Sequence, residues 1–225
     1  MIDFNGRRFH SDIIMVCVRW YAAYALSYRN IEEMMTERGV FVDHSTINRW
    51  VVHYSPQLAD EVKRRRRPVG KSWRLDETYV KVRGQWKYLY RAVDKTNNTV
   101  DFLLTAKRDR KAARRFLDKA IGSSGVPVKI NIDKSGANTA AITSYNEDTN
   151  ANIEIRQNKY LNNIVEQDHR FIKRKVRPTL GFKAFYSAQA TLAGVEAAHM
   201  IKKGQLRPTY CKGRSVVDQF YALAA

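Results

Sequence analysis

Asp76, Asp133 and Glu166 stand where a metal-dependent nucleic-acid enzyme would need carboxylates. Asp76 lies inside an apolar strand pattern, Trp73-Arg74-Leu75-Asp76-Glu77-Thr78-Tyr79-Val80, and Asp133 ends another, Val128-Lys129-Ile130-Asn131-Ile132-Asp133. Glu166 opens a basic helix pattern that continues through His169, Phe171, Ile172 and Lys173. Strands disfavour Asp, so acids at a strand centre and a strand end ask for a reason beyond packing. Three like charges brought together raise one another's pKa unless cations neutralise them. Magnesium takes oxygen ligands and keeps positions open for water or phosphate. Two such ions about 3.5–4 Å apart can activate an attacking oxygen and stabilise a leaving one at a phosphodiester.

Other acids read differently. Glu77 alternates to the opposite sheet face from Asp76 and is expected to be a supporting group. Asp94 ends a strand before Lys95 and should serve the turn. Asp168 lies about 200° round its helix from Glu166, off the metal face. His169 reads as a packed or phosphate-adjacent histidine, and Tyr88 and Tyr90 as core.

The elements that must position the acids follow from periodicity. Apolar residues at helical spacing over 11 to 26, with Ser11 as N-cap, predict a first helix. A second runs from Asn30 to Glu37 and stops at Arg38-Gly39. A third begins at Asp43 and runs through Val52. Two short helices joined by a Gly-containing turn form a helix-turn-helix pattern. Ile47, Trp50 and Val51 should face its core, leaving Ser45, Thr46, Asn48 and Arg49 exposed for DNA, with Arg29 nearby. Lys63-Arg64-Arg65-Arg66-Arg67 before Pro68 marks a boundary, read as a solvated linker that can also track phosphates. From Lys71 the period becomes that of strands: 73 to 82, 86 to 93 and 99 to 106 form a meander. A helix from Asp109, a strand at 128 to 133, a helix near 137 to 147, a strand near 153 to 157 and a long helix from about Asn162 follow. That alternation predicts a mixed α/β sheet covered by helices. The expected domains are 1–67, helical with a basic linker; 68–205, catalytic; and 206–225, a tail with a short helix.

Composition bounds the partners. The chain has 225 residues with 40 Lys plus Arg against 22 Asp plus Glu, a formal net charge of +18. A pI near 10.0 implies a polyanion, nucleic acid first, since neutralised phosphates release counterions. No apolar run approaches the ~20 residues that span a bilayer, and Ile13 to Val18 is too short for an anchor or signal peptide. Only Cys17 and Cys211 are present, which excludes a disulfide framework and fits a reducing cytoplasm. The histidines do not cluster with cysteines, so no structural zinc site is expected.

The strand order, with one Asp on the first strand, one ending the fourth and a Glu on the last helix, resembles the ribonuclease H-like fold of DDE transposases and integrases. In that fold the first and fourth strands are neighbours, so acids 57 positions apart meet, and the 33 positions to Glu166 accommodate a helix and a strand. The local wording resembles the IS6 family of bacterial insertion-sequence transposases from about Phe9 to Gln205. It is carried by Ser27-Tyr28-Arg29, Glu37-Arg38-Gly39, Asp43-His44-Ser45-Thr46-Ile47, Asp76-Glu77-Thr78-Tyr79-Val80 and Tyr88-Leu89-Tyr90-Arg91-Ala92-Val93-Asp94. Lys159-Tyr160-Leu161-Asn162-Asn163, Glu166-Gln167-Asp168-His169 and Gly181-Phe182-Lys183 add to it.

The resemblance implies that Asp76, Asp133 and Glu166 are the catalytic triad. By family analogy Asp76 bridges two Mg²⁺ ions (Mn²⁺ as substitute), Asp133 holds one and Glu166 the other. It also implies replicative, cointegrate-forming movement in a bacterial cytoplasm at the nucleoid. DNA, as terminal inverted repeats and target, would be the partner of a homodimer or larger assembly. Lys173, two turns after Glu166, would grip a transposon-end phosphate, with Arg170 and Lys175 as further candidates. Two rival functions remain open from the residues alone. A helix-turn-helix regulator would bind DNA without Mg²⁺, and a metal-dependent nuclease would nick without joining.

Overall fold

In the computed structural model, which describes residues 2–6, 8–176 and 181–224, the chain divides into two compact units. One comprises Met1–Arg67 with Ile172–Ala225, the other Pro68–Phe171.

Short polar residues start the first unit's helices. His10, rather than Ser11, precedes α1 (Ser11–Ala23), because helical geometry already begins at the serine. Ser27 and Asn30 form a reciprocal capping box on α2 (Tyr28–Thr36), which satisfies two otherwise orphaned amides. Gly39, at φ +72°, turns the chain where a side chain would be strained. Asp43 then caps α3 (His44–Arg65) by accepting from the Ser45 amide at 2.8 Å. Ile47, Trp50 and Val51 are buried while Ser45 and Arg49 are exposed, as the spacing requires.

Helix α3 runs well past the expected Val52, because Leu58, Ala59 and Val62 extend the buried stripe. It carries the basic run with it. Glu61 pairs with Arg64 at 2.8 Å and Arg65 at 3.3 Å. Arg65 also donates to the Ala222 carbonyl at 2.5 Å, and buried Arg66 bridges to Leu206. Arg67 donates from its guanidinium to the Gly204 carbonyl at 2.6 Å. The expected solvated linker is thus packed structure here: carboxylate and carbonyl oxygens offset the clustered charge. Arg65 and Arg66 are occupied, while Arg64 and Arg67 remain exposed.

Residues 172–205, placed with the strands by the sequence boundary, join the helical unit instead. The reason is α7 (Phe185–Lys202), buried along Ala188, Leu192, Val195 and Met200. A helix apolar all round needs neighbours on every side, and α1 and α3 supply them. At the crossing with α3, a Cβ on Gly194 would come within 2.7 Å of Ser55 Cβ, so only glycine permits this approach. Two short helices, α8 (Pro208–Cys211) and α9 (Val216–Tyr221), close the unit, with Phe220 and Leu223 in its core.

The second unit is a five-stranded mixed sheet. In chain order it has β1 (Ser72–Val82), β2 (Gln85–Asp94), β3 (Thr99–Thr105), α4 (Arg110–Ser124), β4 (Lys129–Ile132), α5 (Gly136–Thr149) and β5 (Glu154–Gln157). A 3₁₀ turn, Lys159–Asn162, leads into α6 (Asn163–Val176). Arg83 and Gly84, both at positive φ, make the tight β1–β2 hairpin turn. The strand order is β3-β2-β1-β4-β5, with β1 to β3 antiparallel and β4 and β5 parallel to β1. One face buries Trp73, Leu75, Tyr90, Ile130 and Ile132 with Phe116 of α4 and Ile142 of α5. The other receives α6.

Asp94 does serve its turn. It accepts from the amides of Gly70 at 2.8 Å and of Thr96 and Asn98 at 2.9 Å, and from Asn98 Nδ2 at 3.0 Å. Burial pushes its carboxyl up, but these donors outweigh burial and hold it below the ordinary value. A depressed folded pKa contributes stability above the unfolded value near ~3.9 and loses it as pH falls through the lower folded value. In urea unfolding, Asp94→Ala should therefore cost about 2–3 kcal/mol at neutral pH, with the gap to wild type closing below about pH 4. A gap independent of pH would refute the charged cap.

Candidate active site

Register brings the two aspartates together. Strands β1 and β4 are parallel neighbours with Ser72 opposite Lys129 and Arg74 opposite Asn131. Two residues further along each lie Asp76 and Asp133, which extension of that register puts at the same level; Asp133 Oδ2 also lies 4.0 Å from Arg108. The Asp76 side chain is 18% exposed and that of Asp133, just past the end of β4, is 41% exposed. Asp133 also accepts from the Ser135 amide at 3.0 Å, which settles the turn into α5.

The third acid arrives on α6, whose entry is tied to both strands by asparagines. Asn131 donates to Asn162 Oδ1 at 2.7 Å and to the Asn158 carbonyl at 3.0 Å. Asn162 donates to the Leu75 carbonyl at 3.4 Å, and Arg74 to that of Leu161 at 3.0 Å. One turn into α6, Val165 is buried and Glu166 is exposed, with no hydrogen bond or ion pair among the described residues. Asp168 forms a 2.6 Å ion pair with Arg91, their side chains 2% and 0% exposed. Arg91 faces Asp76 across the β1–β2 ladder.

His169 completes the set. Its Nε2 lies 3.1 Å from Asp76 Oδ2 and its Nδ1 3.5 Å from Arg91. Arginine carries only donors, so Nδ1 accepts and Nε2 holds the proton that Asp76 receives. The residue read as packed or phosphate-adjacent is thus an orienting donor to the first acid. No periodicity marks it. A signal did exist for its neighbours: Arg91 and Asn131 are charged or polar residues inside strand patterns otherwise built for burial.

Glu77 points to the other face, as alternation demands, and is buried against Arg108 and Asn138. Burial raises its carboxyl first, and the nearby Asp76 and Asp133 charges push it further up, against the lowering by Arg108. Asp76, Asp133 and Glu166 are not drawn within 4.8 Å of one another. Among the described residues, Glu32, Asp43 and His44 are the group of three that is. There His44 Nδ1 sits 3.0 Å from Glu32, while Asp43 is already engaged in capping α3. As a donor set, three oxygen-only ligands, two of them level on adjacent strands and one without a protein partner, fit a divalent cation of the magnesium type.

Of the expected DNA contacts, Thr46, Asn48 and Arg49 line a groove of about 750 Å³ with Arg8, His53 and Tyr186. Arg29, Ser45 and Lys173 are exposed. Lys175 is not available for phosphate. Buried, it donates to the Leu26 carbonyl at 3.0 Å and lies 3.5 Å over the Tyr21 ring, and burial brings its ammonium down to about 7. Among the described residues no helix is long and apolar enough to cross a membrane.

A β3-β2-β1-β4-β5 mixed sheet with its helices, and an acid on each of β1, the end of β4 and α6, is a ribonuclease H-like fold. Residues 70–205 match the DDE domain family DDE_Tnp_IS240. That match extends past the end of the sheet unit at Phe171 and includes α7. The transposase for insertion sequence-like element IS431mec of Staphylococcus aureus is 38% identical over 99% of this chain and 98% of its own length. So is the Staphylococcus aureus transposase for insertion sequence element IS257 in transposon Tn4003. Among solved structures, the HTLV-2 integrase catalytic core domain in complex with magnesium has 17% identity and a TM-score of 0.46, over 69% of this chain and 99% of that one. The chain belongs to the IS6 family of DDE transposases.

Proposed function

We propose that this transposase cleaves at the ends of its insertion sequence to free a 3′-OH and joins that hydroxyl to target DNA, in replicative, cointegrate-forming movement. The observation that carries the reading is the level placement of Asp76 and Asp133 on neighbouring strands, with Glu166 on a helix tied to both. These three carboxylates would hold divalent cations, Mg²⁺ with Mn²⁺ as substitute. When bound, the cations supply charge stabilisation for the attacking and leaving oxygens.

The chain's own residues do the positioning. His169 Nε2 donates to Asp76 and fixes which oxygen is turned outward. The Arg91–Asp168 pair keeps the first turns of α6 against the sheet. In the first step water attacks the end phosphorus and gives a proton to solvent, the P–O3′ bond breaks, and the departing 3′-oxygen takes up a proton to become the 3′-OH. In the second that hydroxyl loses its proton as its oxygen attacks a target phosphorus, and the displaced target 3′-oxygen takes up a proton. Arg29, Ser45, Thr46, Asn48, Arg49, Arg64, Arg67 and Lys173 would contact the DNA. Two inverted ends imply a homodimer or larger assembly.

The test is strand transfer on labelled terminal-repeat DNA with Mg²⁺, wild type against Asp133→Ala. Joined product from wild type alone is expected. Nicks without joining would replace the reading with a nuclease, and tight binding with no cleavage by either protein would replace it with a DNA-binding regulator.

A further inference from the structure

The face of β1 and β2 that α4 and α5 cover near Leu75 and Tyr90 continues towards the hairpin turn. There Tyr79 pairs with Tyr88 and Lys81 with Trp86 across the ladder. Tyr79 and Trp86 are 51% and 61% exposed, unusually bare for large rings. Their centroids lie 6.4 Å apart at 78°, and Tyr88 sits 5.4 Å from Tyr79. Lys81 Nζ is 6.0 Å from the Trp86 ring. The next strand brings Thr105 opposite Tyr88 and then runs into Lys107 and Arg108, both exposed. Three rings and a basic margin therefore share one sheet surface.

We propose that this hairpin face is a stacking platform for unpaired DNA bases. Stacking needs an open base face, which a duplex hides and a single strand offers, and every base has one. Lys81 and Lys107 along the margin suit the phosphates that accompany those bases, in a chain of formal net charge +18. A ribonuclease H-like site alone acts on a phosphodiester. The platform, on the sheet face opposite Asp76, adds a place for nucleotides splayed from the duplex away from the phosphodiester that the acids address. The inference rests on the reading that the chain acts on DNA, and goes beyond it.

The experiment uses the full chain and two labelled probes, an oligothymidylate and a terminal-repeat duplex. Tyr79→Leu/Trp86→Leu should weaken oligothymidylate binding by about 10- to 100-fold and leave duplex affinity within about twofold. Tyr79→Phe/Trp86→Phe, which keeps the rings, should stay within about threefold of wild type on both probes. No loss, an equal loss on both probes, or a Phe variant as weak as the Leu variant would overturn the proposal. So would a Leu variant that sediments as a smaller oligomer than wild type, which would assign the face to a second copy of the chain. Strand transfer is measured in parallel. Ring-dependent oligothymidylate binding without any joining would leave the platform standing and remove only the transposase chemistry.

Discussion

Glu166→Gln should abolish strand transfer, by about 10³-fold or more, while leaving the fold unchanged. The two halves of that expectation come from the same facts. Glu166 is exposed and has no hydrogen bond or ion pair among the described residues, so the neutral amide removes nothing that holds α6 in place. Its stability should stay within about 0.5 kcal/mol of wild type. The amide, however, is a poor ligand for a hard cation, and the charge stabilisation lost is worth several kcal/mol, or ~10³ in rate at ~1.4 kcal/mol per decade. Asp76→Asn should behave differently, since Asp76 accepts a hydrogen bond from His169 Nε2, and the neutral amide loses the charge assistance of that α6 contact. A Glu166→Gln protein that transfers strands at the wild-type rate, with wild-type unfolding and duplex binding, would remove Glu166 from the reacting centre.

Arg91→Met should be the most destabilising single change in the sheet unit. Arg91 and Asp168 are essentially without solvent, and their 2.6 Å pair links the centre of β2 to the second turn of α6. Removing one partner leaves an uncompensated buried charge, which costs about 3–5 kcal/mol. Replacing both with apolar residues of similar size, as in Arg91→Met/Asp168→Leu, removes the charge as well. That double variant should recover a large part of the loss in urea unfolding. Its transfer activity should stay low, because His169 loses the Arg91 guanidinium facing Nδ1 and with it the tautomer that orients Asp76. A double variant no more stable than Arg91→Met would mean that the pair's value lies in packing rather than in charge compensation.

Both expectations mark the line between local and long-range information. Cap residues, glycine turns and the change from helical to strand period are local, set by dihedral preference and by which side chains face inward within a few residues. Hence the three strands of the meander, the strand ending at Asp133 and the helix carrying Glu166 were legible, as were the buried and exposed sides of α3. The family wording was legible for the same reason. Length was less so: α3 continues to Arg65 because a buried stripe and Glu61 outweigh the repulsion within the basic run, a balance that neighbouring charges alone do not display.

By itself, then, the sequence determined the elements and pointed to three acids and a polyanionic partner, because periodicity, residue chemistry and net charge are properties of the chain. Tertiary structure alone decided which residues hold those acids in place. His169 reaches Asp76 across 93 positions and Asp168 reaches Arg91 across 77. It also decided that Arg65 and Arg66 are engaged within the helical unit, and that α7 lies with the helices. Such pairings depend on buried geometry and on the cost of leaving a polar group unmatched away from water, and no spacing along the chain encodes either.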